Sequence, residues 1–116
     1  MSLFDKYGGE EFFQRLLDII YQKNLSNPVL APYFRDSDVE RIKSMYLNLL
    51  RAGLGTGEHH FHTSVKRVHS HLHIPKEAFL AFYEVFIGVL QENAFTPEDM
   101  EEVSDMLKAF EEDVVT

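Results

Sequence analysis

All six histidines of this chain fall between His59 and His73, in the stretch EHHFHTSVKRVHSHLH. Imidazole is the commonest metal-ligating side chain and also titrates near neutral pH. Metal or acid–base chemistry is therefore expected here before anywhere else. His69 differs from the other five. Val65, Val68 and Leu72 lie at −4, −1 and +3 from it, the spacing of one helix face, so its ring is expected to point inward. A core-facing imidazole needs a partner, because an unpaired buried polar group is costly. Two tyrosines, Tyr21 and Tyr46, also occupy inward positions, each on a different helical stripe. A buried phenol needs a partner as well. An inward His opposite two inward Tyr describes a cavity that holds a polar ligand, whereas each residue alone describes an ordinary core position.

A protein-only metal site is the competing use of these histidines. On a strand, His69-x-His71-x-His73 would present three imidazoles on one face, a set suited to zinc. The surrounding periodicity is helical, however, and on a helix His71 points well away from His69. No Asp or Glu lies within the run to complete a set. His59, His60 and His62 form a second cluster, better suited to adventitious binding of nickel or zinc than to a dedicated site.

The elements that must position these groups read as helices throughout. Phe12, Phe13, Leu16, Leu17, Ile20 and Tyr21 recur at helical spacing over about residues 9–25, after a Gly8-Gly9 turn. Asn27-Pro28 is expected to start a short helical turn that ends at Pro32-Tyr33-Phe34. Ser37-x-x-Glu40 reads as a capping box for a helix carrying Val39, Ile42, Tyr46, Leu49, Leu50 and Gly53. Gly53-x-Gly55-x-Gly57 is expected to stop it. A polar, His-rich connection then runs from about Thr56 to Thr63, and a short helix bearing His69 covers about Ser64 to Leu72. Ile74-Pro75 precedes a helix with Phe79, Phe82, Tyr83, Phe86 and Leu90, since a residue before Pro avoids the helical region. Thr96-Pro97 starts the last helix, with Met100, Val103, Leu107, Phe110 and Val114 on its stripe. Its outer acids, Glu98, Asp99, Glu101, Glu102 and Asp105, read as a solvated face. The fold class is all-α, with four substantial helices and two or three short ones.

Composition narrows the function. The 116 residues suffice for one domain with a real core, and no linker or repeat divides residues 1–116. There is no Cys, which removes disulfides, thiolate nucleophiles and iron–sulfur clusters. The formal net charge of −8 disfavours nucleic acid and anionic lipid. No basic-then-apolar leader opens the chain, and the longest apolar run, Ala78 to Leu90, is too short to span a bilayer. A cytoplasmic protein is expected, monomeric or weakly dimeric.

In register, these pieces resemble the truncated haemoglobins, most closely group I. The resemblance rests on Tyr7-Gly8-Gly9, on Ile20-Tyr21 and on Asn27-Pro28-Val29-Leu30-Ala31-Pro32-Tyr33-Phe34. It rests also on Val68-His69-Ser70-His71-Leu72-His73-Ile74 with Phe79 following, and it covers almost the whole chain. It implies a two-over-two helical sandwich around haem b (iron protoporphyrin IX), with a much-reduced first helix. His69 corresponds to the proximal iron ligand, its other ring nitrogen tied to a carbonyl. Tyr21 corresponds to the distal hydroxyl that donates to the bound ligand, with Tyr46 a second donor. Phe34 corresponds to the aromatic that wedges against the porphyrin. Ile42, Leu49, Val65, Leu72 and Phe82 fall among the haem contacts. Met45 stands where relatives often carry a basic residue or His, so the propionates are left to Lys43, Lys66 or a His of the 59–62 cluster.

The implied function is reversible binding of dioxygen, nitric oxide and carbon monoxide. Nitric oxide dioxygenation or peroxidase-like chemistry would additionally need an external reductase, because the chain has no flavin or nicotinamide motif. Two other classes compete: a haem-free globin-like interaction module that docks through its acidic helix, and the protein-only His metal site.

Overall fold

The computed structural model describes residues 2–35, 38–56 and 74–115. The His-rich connection and the short helix expected to bear His69 lie outside the described residues. By its internal contacts the chain divides into two compact units, Met1–His59 and His60–Thr116.

The first unit is built on two long helices. α1 (Leu3–Lys6) is capped by Ser2, whose hydroxyl accepts from the Asp5 amide at 3.1 Å and donates to the Asp5 carboxylate at 3.0 Å. The chain then turns through Gly8, at φ +123°, into α2 (Gly9–Ser26). A Cβ at Gly8 would come within 2.9 Å of the Phe12 Cβ, so both the backbone and the space demand glycine there. Phe4 stacks on Phe13 at 4.9 Å, which pins α1 to α2. After α2 the Asn27 side chain accepts from the Val29 amide at 2.9 Å, and the Asn27 carbonyl accepts from the Leu30 and Ala31 amides.

The short helix α3 (Ala31–Phe34) therefore begins after Leu30 with Pro32 in its first turn, three residues later than Asn27-Pro28 suggests. Asn27 spends its acceptor on a local turn rather than on a helix cap. α4 (Val39–Arg51) is capped by Asp38, whose carboxylate accepts from the Arg41 amide at 3.2 Å. The acceptor thus sits one residue beyond the Ser37 of the expected capping box. Nor does the glycine series stop α4 at once. A π-helical turn (Ala52–Thr56) continues it and packs against α1.

α2 and α4 pack antiparallel. Asp18 pairs with Lys43, and Glu10 pairs with Arg51 at 3.0 Å, so eight residues along one helix match eight along the other. Phe13, Leu16, Leu17, Ile20, Leu30, Leu47, Leu50 and Leu54 are buried and form the core of this unit. Full burial of each such side chain stabilises by about 1.5–3 kcal/mol, far more than the exposed ion pairs at the rim.

The described part of the second unit begins with Ile74, which makes an isolated parallel bridge to Val115. Pro75 precedes α5 (Lys76–Glu92), and its carbonyl accepts from the Ala78 and Phe79 amides, as the Ile74-Pro75 signal requires. The helix closes in a Schellman turn. The Phe95 amide reaches back to the Leu90 carbonyl at 3.2 Å and the Ala94 amide to Gln91 at 3.3 Å. Ala94 takes the left-handed position of that turn, at φ +65°. Phe95, the apolar residue the motif favours, is buried together with Leu90.

Thr96 then caps α6 (Pro97–Ala109) by accepting from the Asp99 amide at 3.2 Å. The expected stripe is only partly realised. Val103, Ser104 and Met106 are buried, whereas Met100 and Leu107 are half-buried, and the helix breaks at Phe110 before α7 (Glu111–Val114). Ser104 turns inward because its hydroxyl hydrogen-bonds the Tyr83 hydroxyl on α5. Of the acids expected on a solvated face, Glu98, Glu101, Glu102 and Asp105 are exposed and Asp99 is half-buried.

Candidate functional site

Three helices of the first unit carry Tyr21, Phe34 and Tyr46, and the structure joins the first two of these. Tyr21 lies on the buried stripe of α2 at 7% exposure. Its hydroxyl donates to the Phe34 carbonyl at 3.1 Å, and its ring meets the Phe34 ring edge-on at 6.1 Å. Tyr21 and Phe34 thus form one contact that ties α3 to α2. The register of the α2–α4 pair sets Tyr21 level with the first turn of α4. Tyr46 lies about one and a half turns further on, an axial offset on the order of 9 Å. Two long phenol side chains are needed to bridge such an offset toward one ligand.

α4 carries two apolar stripes with different fates. Leu47 and Leu50, at 6% and 2% exposure, pack into the core of the unit. Ile42, Met45, Tyr46 and Leu49, at i, i+3, i+4 and i+7, are all half-buried. A continuous face of large apolar side chains left partly accessible is what a flat apolar cofactor requires. These residues fit haem. Tyr46 keeps part of its surface accessible, yet burial pushes its phenol well above the ordinary tyrosine range. Like any phenol it is a neutral hydrogen-bond donor through the physiological range, and burial only extends that range upward. Phe82, on α5 of the second unit, is half-buried and its ring lies 5.9 Å from that of Phe86. His69, Val65, Lys66 and Leu72 lie outside the described residues.

Electrostatics redirect one expectation. Lys43 is a candidate partner for haem propionates by sequence, but its ammonium is held by Asp18 and also reaches Glu40 at 3.4 Å. The hydrogen bond to Asp18, more than any other influence, raises its pKa. The pairing belongs to a polar groove of about 350 Å³ between α2 and α4, floored by Leu17 and Leu47. Lys43 is paired in that groove, and Arg51 is paired with Glu10 and Asn48. The groove is a seam that fixes helix register.

Two structural features near Tyr21 escape a reading of the sequence. One is the Phe34 carbonyl, which takes the Tyr21 proton; no residue letter signals a main-chain acceptor. The other is Asn24, 1% exposed and one turn beyond Tyr21 on α2, whose side-chain oxygen has no hydrogen-bond partner among the described residues. Its position on the stripe through Phe13, Leu17 and Tyr21 is the signal that could have found it. Among the described residues, no three His, Asp or Glu side chains form a metal-binding group, and no helix is long and apolar enough to cross a membrane.

Comparison with known proteins bears on the fold and the family. A crystal structure of truncated haemoglobin from Tetrahymena pyriformis (a point mutant in its Fe(III) form) superposes with a TM-score of 0.85 at 20% sequence identity. The match covers 99% of this chain and 98% of that one, so the all-helical fold is that of a truncated globin. The family model for bacterial-like globins matches residues 2–116. Haem-based ligand binding is the function class that goes with this family. The chain belongs to the bacterial-like globin family.

Proposed function

We propose that this globin holds haem b through His69 and binds dioxygen, nitric oxide and carbon monoxide reversibly, as a single domain in the cytoplasm. The observation that carries the reading is the half-buried apolar face of Ile42, Met45, Tyr46 and Leu49 on the helix packed against α2, which bears Tyr21. When bound, haem would supply an iron able to take a diatomic gas. The chain's own residues do the rest. His69 would furnish the imidazole nitrogen that holds the iron. Phe34 wedges against the porphyrin edge. Ile42, Met45, Leu49, Val65, Leu72 and Phe82 exclude water, which protects the ferrous state, and Lys66 is left to hold a propionate.

Tyr21 and Tyr46 govern selectivity. A ligand that gathers negative charge on its outer atom gains from a phenol donor, and one that stays nearly neutral gains little. The shifted Tyr46 phenol keeps its proton at any physiological pH. Oxidative turnover, including nitric oxide dioxygenation, requires electrons from an external reductase.

The test is the rate of oxygen dissociation from Tyr21→Phe and Tyr46→Phe holoprotein. Loss of one hydrogen bond is expected to speed release by roughly tenfold. Unchanged rates in both variants contradict the reading.

A further inference from the structure

Tyr21 has two uses and one proton. A phenol can donate a single strong hydrogen bond. In this structure that bond goes to the Phe34 carbonyl at 3.1 Å. The proposed function needs the same proton for a diatomic ligand. Phe34 is the last residue of α3, a helix of four residues of which none is fully buried. A helix so short has no stability of its own and depends on tertiary ties. The Tyr21 contact is such a tie, joining a hydrogen bond to an edge-on ring contact.

We propose that the Tyr21–Phe34 hydrogen bond is a ligand-sensitive latch on α3. A ligand that accepts a hydrogen bond strongly, dioxygen above all, draws the proton from the Phe34 carbonyl and loosens α3. A weakly accepting ligand, carbon monoxide, leaves the latch closed. The inference rests on the reading of Tyr21 as distal donor and adds a consequence to it. Linkage makes the coupling reciprocal: whatever tightens α3 onto α2 weakens dioxygen binding by the same factor. Carbon monoxide binding is then nearly indifferent to α3. The Phe34 main chain thereby sets discrimination between the two gases, a part no side-chain substitution at Phe34 would remove.

The test is millisecond hydrogen exchange on ferrous holoprotein in its dioxygen and carbon monoxide forms, for the natural chain and for Tyr21→Phe. The substitution keeps the ring and removes only the hydroxyl, so the packing against Phe34 is retained. In the natural chain, the amides of Ala31, Tyr33, Phe34 and Arg35 are expected to exchange roughly two- to tenfold faster with dioxygen than with carbon monoxide. In Tyr21→Phe the two forms are expected to exchange alike, at the faster rate. Equal exchange of the two forms in the natural chain overturns the latch, as does a ligand difference that survives in Tyr21→Phe. Oxygen dissociation measured on the same samples separates the two failures. Faster release from Tyr21→Phe with ligand-independent exchange sinks the latch alone. Unchanged release sinks the donor role and the latch with it.

Discussion

Tyr46→Phe tests how far the α4 phenol is removed from water. Burial raises the Tyr46 pKa above the ordinary value of about 10. A group with a raised folded-state pKa contributes stability that is complete below its unfolded pKa and is lost as pH rises toward the folded one. Below about pH 10 both states keep the proton and the phenol adds no pH dependence. Above it the unfolded chain releases the proton first, and folding loses about 1.4 kcal/mol per pH unit from this residue. Urea unfolding of both proteins at pH 8, 9, 10 and 11 isolates the effect, because the other four of the five tyrosines and all the lysines are common to both. The stability of the natural chain relative to Tyr46→Phe should be constant from pH 8 to 9, then fall by about 1.4 kcal/mol at pH 11. A difference that stays flat to pH 11 refutes the desolvation argument.

Three stability predictions follow from backbone and packing. Gly8→Ala should destabilise by about 1–3 kcal/mol in urea unfolding, because left-handed strain and the close approach to Phe12 outweigh the reduced freedom of the unfolded chain. Ala94→Gly should act oppositely and stabilise by roughly 0.5–1 kcal/mol, since it relieves the same strain in the Schellman turn after α5. If both substitutions shift stability in the same direction, positive φ is not the controlling factor. Ser104→Ala should cost about 1–2 kcal/mol by leaving the Tyr83 hydroxyl without its α6 partner. An unchanged melting temperature would show that this bond is replaced by water at no cost.

The parts of the fold legible in the sequence are those with local causes. Thr96-Pro97, Ile74-Pro75 and Gly8-Gly9 mark boundaries because a cap, a proline ring or a positive φ acts within three residues of itself. Sequence patterns mislead where two local solutions compete. Asp38 and Ser37 are both competent caps, and the helix begins after Asp38. Asn27 can cap a helix or close its own turn, and it closes the turn. Ala94 gives no sign of a Schellman end, because alanine is an ordinary helix residue and only the backbone reveals its left-handed state.

In the site, the types and faces of Tyr21, Ile42, Tyr46 and Leu49 follow from periodicity alone, whereas Met45 entered only through the resemblance. Their roles come from the resemblance to truncated haemoglobins. What periodicity cannot reach is the competition for a proton between a side chain and the main chain of Phe34, or the commitment of Lys43 to Asp18 across two helices. Both depend on the rotation of neighbouring helices about their axes, which pair patterns along one chain do not encode.

The central claim is that the imidazole of His69 ligates haem iron. Titrating apoprotein with haemin while recording the Soret band tests it, with His69→Ala titrated in parallel and the ferrous carbon monoxide spectra compared. The account predicts stoichiometric uptake by the natural chain, with a histidine-ligated carbon monoxide spectrum, and loss of that spectrum or of tight binding in His69→Ala. Identical spectra and affinities for the two proteins, or no uptake by the natural chain, would contradict it.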